Sequence, residues 1–199
     1  MNETIKSTQA ASAAERIILG IDPGTTVMGF GILRETNGRI ALIEAGSFRF
    51  KREDDHALKL RDIFAHTMAL IEKHHPDELA IEAQFFGKNV QSMLKLGRAQ
   101  GVAIAAALHR EIPVVEYAPK RVKKAITGNG NASKEQVAAM LLNILNVPEL
   151  PASTDASDAV AVAVCHCFSR KGRAAAGMPA RTSSGNWASF VRNNPDRVK

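Results

Sequence analysis

Residues 18–33 read "ILGIDPGTTVMGFGIL", and their interpretation decides the fold. An apolar run stops on Asp22, turns through Pro23-Gly24-Thr25-Thr26 and resumes as a second apolar run. This pattern predicts two strands, over residues 16–22 and 27–33, with Gly29 and Gly31 permitting close backbone approach. A strand that ends on a carboxylate at a glycine turn suits an active-site edge. Such an edge can hold a metal for cutting nucleic acid, or it can grip the phosphates of ATP. The stretch alone leaves both open.

Working outward, "TNGRI" supplies an Asn37-Gly38 hairpin turn into a third strand over residues 40–50, so the chain opens as an antiparallel three-strand meander. Leu60, Ile63, Phe64, Thr67, Leu70 and Ile71 recur at helical spacing, and Pro76 follows the end of that helix. "DELAIEA" predicts a fourth strand ending on Glu82. Residues 89–110 predict a helix rich in glycine and alanine, and "PVVEYA" a fifth strand. Two shorter helices, "PKRVKKAIT" and "SKEQVAAMLLNIL", flank "GNGNA", and a last helix is expected over residues 155–168. The order describes a mixed α/β sheet, a meander plus two parallel strands, with helices on both faces. Residues 16–169 form one domain in this reading, between a flexible arm (1–15) and a disordered basic tail (170–199).

The chain has 199 residues, 45% of them hydrophobic, enough for one substantial core. No apolar run approaches the ~20 residues that span a bilayer, and "MNETIKSTQAASAAER" lacks a secretory apolar core, so no membrane association and a cytoplasmic location are expected. Cys165 and Cys167 flank His166 and point in different directions on a helix, which favours buried reduced thiols over a disulfide or shared metal. The formal charge is +6. Residues 85–135 carry nine Lys/Arg against three Glu, and residues 170–199 seven against Asp196. A basic band inside a neutral body suits a polyanion-facing surface. A solvated lysine-rich face is the other reading of the same charges.

Four acids stand at element ends. Asp22 and Glu82 each close a strand, while Asp155 and Asp158 in "STDASDAVAVAV" open the last helix, where i, i+3 spacing puts both on one face. The positive helix end favours ionised carboxylates there. Were the first and fourth strands neighbours, Asp22 and Glu82 would lie side by side. Carboxylates gathered in this way repel unless cations hold them, and hard oxygen ligands favour Mg²⁺ or Mn²⁺. Two such ions ~4 Å apart can activate water and stabilise the leaving oxygen of a phosphodiester. Singly, each acid also reads as a turn former, a helix cap or a solvated strand end. The combination carries the signal.

"GIDPGTTVMGFGI", "LAIEAQFFGKNVQSMLKLGRAQGVAI", "VVEYAPKRVKKAITGNGNASKEQV" and "DASDAVAVAVCHC" resemble, in order, the signature blocks of RuvC-type Holliday junction resolvases. The resemblance implies an RNase H-like fold, a homodimer, and Mg²⁺-dependent cutting of two opposed strands of a four-way DNA junction. The cuts would leave 5′-phosphate and 3′-hydroxyl ends, in homologous recombination and DNA repair. It also implies two metal ions held by Asp22, Glu82, Asp155 and Asp158, with Mn²⁺ a possible substitute for Mg²⁺. A branch-migration complex of the RuvA and RuvB type is implied by the family alone. Phe85 matches an aromatic that stacks or wedges at the open crossover, with Phe86 beside it. Lys123 and Lys134 match DNA contacts near the cut; Lys88, Asn89, Lys120, Arg121 and Lys124 are further expected DNA contacts.

Three other readings share features with this sequence. An actin-like phosphotransferase of the sugar-kinase or Hsp70 type shares "DPGTT" followed by a hairpin, but needs a second lobe for which there is no chain length. A non-catalytic DNA-binding module on this fold would be expected to lose acids, and all four are present. The Phe85 block argues against a different RNase H-like nuclease. The Thr25-Thr26 pair is left without a role.

Overall fold

The computed structural model describes residues 15–51, 55–84, 89–151 and 153–175. Its elements are β1 (Glu15–Asp22), β2 (Val27–Thr36), β3 (Arg39–Arg49), α1 (His56–His74), β4 (Glu78–Glu82), α2 (Val90–His109), β5 (Val114–Tyr117), α3 (Pro119–Thr127), α4 (Lys134–Leu145) and α5 (Thr154–Ala175). The five strands form one sheet in the order β3-β2-β1-β4-β5. The meander is antiparallel, whereas β1–β4 and β4–β5 are parallel. The expected five-stranded mixed sheet is therefore present, and β1 is its central strand.

Alternation along β1 explains how both faces are used. Leu19 and Ile21 point to one side, where they join Ile32, Ile63, Leu79 and Ile81 under α1 and α2. Ile18 points to the other, where it joins Leu33, Val160, Val164 and Leu141 under α4 and α5. Burying each such side chain contributes about 2 kcal/mol. A one-residue slip of β1 would exchange the two sets, so its register is firmly specified.

Local signals set the ends of the elements. Asn37 (φ 51°) and Gly38 (φ 79°) form the left-handed hairpin turn between β2 and β3. His75, at φ 47°, closes α1 by donating its N–H to the Ile71 carbonyl, just before Pro76. Pro119 opens α3 and Gly128, at φ 77°, ends it. A full capping box opens α4: Ser133 accepts from the Gln136 N–H, and the Gln136 side chain accepts from the Ser133 N–H.

Two details differ from the sequence expectation. Phe64, placed on the inner face of α1, is 38% exposed; Ile63, Thr67, Leu70 and Ile71 make the buried face. The last helix does not stop at Phe168 but runs to Ala175, so residues 170–175 belong to the helix and not to a disordered tail. Arg170 ion-pairs with Glu78 of β4, which ties that turn to the sheet. Cys165 and Cys167 are buried and form no disulfide, and burial pushes the Cys165 thiol up to about 11.

Candidate active site

The site stands at one sheet edge. Ile21 pairs with Ile81, so Asp22 and Glu82 follow as the next residues on two adjacent parallel strands. Both chains turn away there, and their carboxylates face the side covered by α5.

What brings Asp155 and Asp158 over them is a seam of small residues. Across the antiparallel ladder Asp22 pairs with Gly29. A side chain at Gly29 would strike the Asp155 carbonyl group and come within 3.0 Å of the Ala156 nitrogen. At Gly31 it would come within 2.7 Å of Val160, and at Gly20 within 2.8 Å of the Ala163 methyl. Helix α5 therefore lies almost on the sheet backbone. Its acidic first turn is set beside the end of β1.

The four acids line one cleft of about 470 Å³, together with the turn from Pro23 to Val27, Gln84, Leu96 and Pro119. Burial, then the negative charges of Glu82, Asp158 and Asp155, push the Asp22 carboxyl up to about 8, against a smaller opposing pull from Lys134. Glu82 is raised as well, first by burial and then by Asp158, with Lys134 and Lys123 acting the other way. At neutral pH these surroundings favour the protonated form of Asp22. The cleft is an anionic cluster short of positive charge.

Two lysines reach it. The capping box of α4 presents Lys134, whose Nζ lies 2.6 Å from Asp158 Oδ2 and whose own acidity is weakened by that bond. Lys123 donates from Nζ to the Ala132 carbonyl at 2.7 Å, bracing the 128–132 turn while its charge acts on Glu82. Ser153, just ahead of α5, donates to Asp155 Oδ2 at 3.3 Å.

The other expected contacts divide. Lys120 and Lys124 are exposed on α3. Arg121 is exposed as well, with its guanidinium 5.1 Å from the centre of the Tyr117 ring and donating to Ser169 Oγ at 3.4 Å. Asn89 caps α2, accepting from the Ser92 N–H at 3.1 Å. Phe85, Phe86 and Lys88 lie outside the described residues. Sequence reasoning missed Gln84, Leu96 and Pro119 as lining residues and gave none to Thr25 and Thr26. Adjacency to Asp22 and Glu82 was the available signal for the threonines and Gln84; Leu96, on the distant α2, had none.

As they stand, no three histidine, cysteine or carboxylate side chains among the described residues are arranged to hold a metal ion. The donor chemistry nonetheless fits a hard divalent cation: all four groups are carboxylates, burial and then the neighbouring acids suppress ionisation of Asp22, and an ammonium already serves as counter-charge at Asp158.

A mixed sheet in this order, with acids from the ends of β1 and β4 beneath an acid pair on a crossing helix, defines an RNase H-like fold of the nuclease type. The family model for crossover junction endodeoxyribonuclease RuvC matches residues 18–166. The chain is 55% identical to the crossover junction endodeoxyribonuclease RuvC of Cytophaga hutchinsonii over 93% of its own length and 89% of that protein's. It is 53% identical to the one from Christiangramia forsetii, over 97% and 98%. Among solved structures, T. thermophilus RuvC in complex with Holliday junction substrate superposes with a TM-score of 0.74 at 31% identity, covering 79% of this chain and 96% of that one. The chain belongs to the RuvC family of crossover junction endodeoxyribonucleases.

Proposed function

We propose that this protein resolves four-way DNA junctions by cutting two opposed strands, leaving 5′-phosphate and 3′-hydroxyl ends. The observation that carries the reading is the meeting of Asp22, Glu82, Asp155 and Asp158 in one cleft, in a chain of this family.

Asp22, Glu82, Asp155 and Asp158 are the residues that would hold divalent metal, Mg²⁺ with Mn²⁺ as a substitute, two ions per site. When bound, such ions supply Lewis acidity and a water nucleophile of lowered pKa. The chain's own residues do the rest. The turn from Pro23 to Val27 and Gln84 line the approach to the acids. Lys123 and Lys134 place positive charge where a phosphodiester gathers negative charge. Exposed Lys120 and Lys124 continue that charge onto α3, where phosphates of the flanking strands are gripped without regard to sequence. Phe85, with Phe86, is assigned to the opened crossover, where unpaired bases offer π faces. Arg121, exposed between Lys120 and Lys124 on α3, adds its charge to the same grip while packing over Tyr117.

A junction has approximate two-fold symmetry, so a homodimer sets two clefts on opposed strands. The outer face of α2 supports this arrangement: Val90, Leu94 and Leu108 are 66%, 52% and 56% exposed, and the space above Gly97 and Gly101 is open. A branch-migration complex of the RuvA and RuvB type would deliver the junction in a cytoplasmic setting. Residues 16–175 are assigned to the nuclease domain.

The test is direct. A mobile four-way junction and a linear duplex of the same sequence are incubated with protein and Mg²⁺. Paired symmetric nicks in the junction alone are expected; equal cutting of both substrates removes junction selectivity. Asp22→Asn should bind the junction and leave it intact, and a variant that still cuts refutes the metal assignment.

A further inference from the structure

His166 of α5, with Tyr117 of β5 and Glu78 of β4 against it, forms a polar group that has no part in the scheme above. His166 is 2% exposed, yet both ring nitrogens are engaged. Nδ1 lies 2.9 Å from the Tyr117 hydroxyl and Nε2 lies 2.9 Å from Glu78 Oε2. A ring protonated on Nε2 donates to the carboxylate and accepts from the tyrosine, which fixes its orientation. Glu78 is held in turn by Arg16 of β1 at 3.1 Å and by Arg170 of α5.

The chain of contacts reaches the cleft from both ends. Glu78 opens the strand that Glu82 closes. Tyr117 pairs directly with Glu82 across the parallel ladder, and its carbonyl accepts from the Ala83 N–H at 2.9 Å. On α5, His166 follows Asp155 by eleven residues, close to three whole turns, so both occupy the same helix face about 16 Å apart.

The seam explains why such a clamp is needed. Glycines against alanine and valine set how deeply α5 sits, but they provide few protruding side chains to stop it sliding along the sheet. Directional hydrogen bonds supply what the smooth contact lacks. A slide of α5 would carry Asp155 and Asp158 past Asp22 and Glu82 together.

We propose that Tyr117, His166 and Glu78 are positioning residues: a buried clamp that fixes the register of α5 over β4 and β5, and so the spacing of the four acids on which metal capture depends. The inference rests on the metal-site reading above. Its role is to organise the cleft, over and above stabilising the fold.

The test measures Mn²⁺ binding calorimetrically to the full chain without DNA, at a temperature where circular dichroism shows each variant folded. Tyr117→Phe removes one hydroxyl and keeps the ring. It should weaken Mn²⁺ binding by about fivefold, the equivalent of one lost hydrogen bond. His166→Phe breaks both links and should cost ~10-fold or more, the range seen when groups supporting metal ligands are removed. The double variant should be no worse than His166→Phe alone, and junction affinity in EDTA should stay within about twofold in all three, because the phosphate-facing lysines are untouched. If His166→Phe does not fold, Tyr117→Phe alone decides. Folded variants with unchanged Mn²⁺ affinity and only a lower Tm overturn the clamp, leaving the metal site standing. Wild-type protein that binds no Mn²⁺ overturns the metal site, and the clamp with it.

Discussion

Gly29→Ala adds a single methyl group at the place where the sheet meets the acidic turn of α5. The added carbon would lie inside contact distance of the Asp155 carbonyl group and 3.0 Å from the Ala156 nitrogen. Backbone atoms cannot rotate aside, so the first turn of α5 must retreat by ~1 Å to restore ordinary contact. Overpacking of this kind costs about 1–3 kcal/mol, or roughly 3–10 °C in Tm for a domain of this size. The larger effect falls on chemistry. Asp155 moves away from Asp22, the cross-strand partner of Gly29, and a 1 Å error in a reacting constellation costs about 100-fold in rate. The assay is single-turnover cutting of a mobile junction in saturating Mg²⁺, with junction affinity measured separately in EDTA. Cutting should fall about 100-fold while affinity holds within about twofold. Full activity in a folded Gly29→Ala protein would refute the view that the seam sets the acid spacing.

The Asp22 carboxyl, raised from 3.8 to about 8 by burial and by Glu82, Asp158 and Asp155, makes metal-free stability depend on pH. Its unfolded form ionises first, so the stabilisation is complete below about pH 4 and is lost as pH rises through 8, by several kcal/mol in all; urea melts in EDTA should show this slope in wild type and a flatter one in Asp22→Asn. Replacing Leu94, half exposed on α2, by Glu should shift the proposed dimer towards monomer in light scattering, and an unchanged dimer mass would move the contact elsewhere. Phe85→Ala should reduce junction cutting by about 5- to 150-fold through lost stacking, about 1–3 kcal/mol, with Mn²⁺ binding unaltered.

The sheet and the acids were legible because each is written locally. The strand ends on Asp22 and Glu82, the Asn37-Gly38 turn and the 155/158 spacing are each contained in a few consecutive residues. Gly29 and Gly31 could be recognised as sites of close approach, though not that Asp155 and Val160 make it. The clamp was illegible: Tyr117, His166 and Glu78 share no spacing, and their meeting depends on β4 and β5 lying parallel under α5. The same blindness explains the last helix. "SRKGRAAA" reads as a polar tail until Arg170 is seen to have Glu78 as its partner. Arg121 likewise counts as one more surface cation until Tyr117 is placed beneath it.

Central placement of β1 has a consequence for how activity is lost. Asp22 ends the one strand that has both an antiparallel and a parallel neighbour, so its backbone opens only when the sheet itself comes apart. Glu82 comes from the parallel neighbour, and Asp155 and Asp158 from the helix lying across both. The cleft is thus complete only while the middle of the sheet and the helix across it stay packed together. Inactivation is therefore a single cooperative event: on heating, the fraction of cutting retained and the fraction of sheet retained should trace one curve.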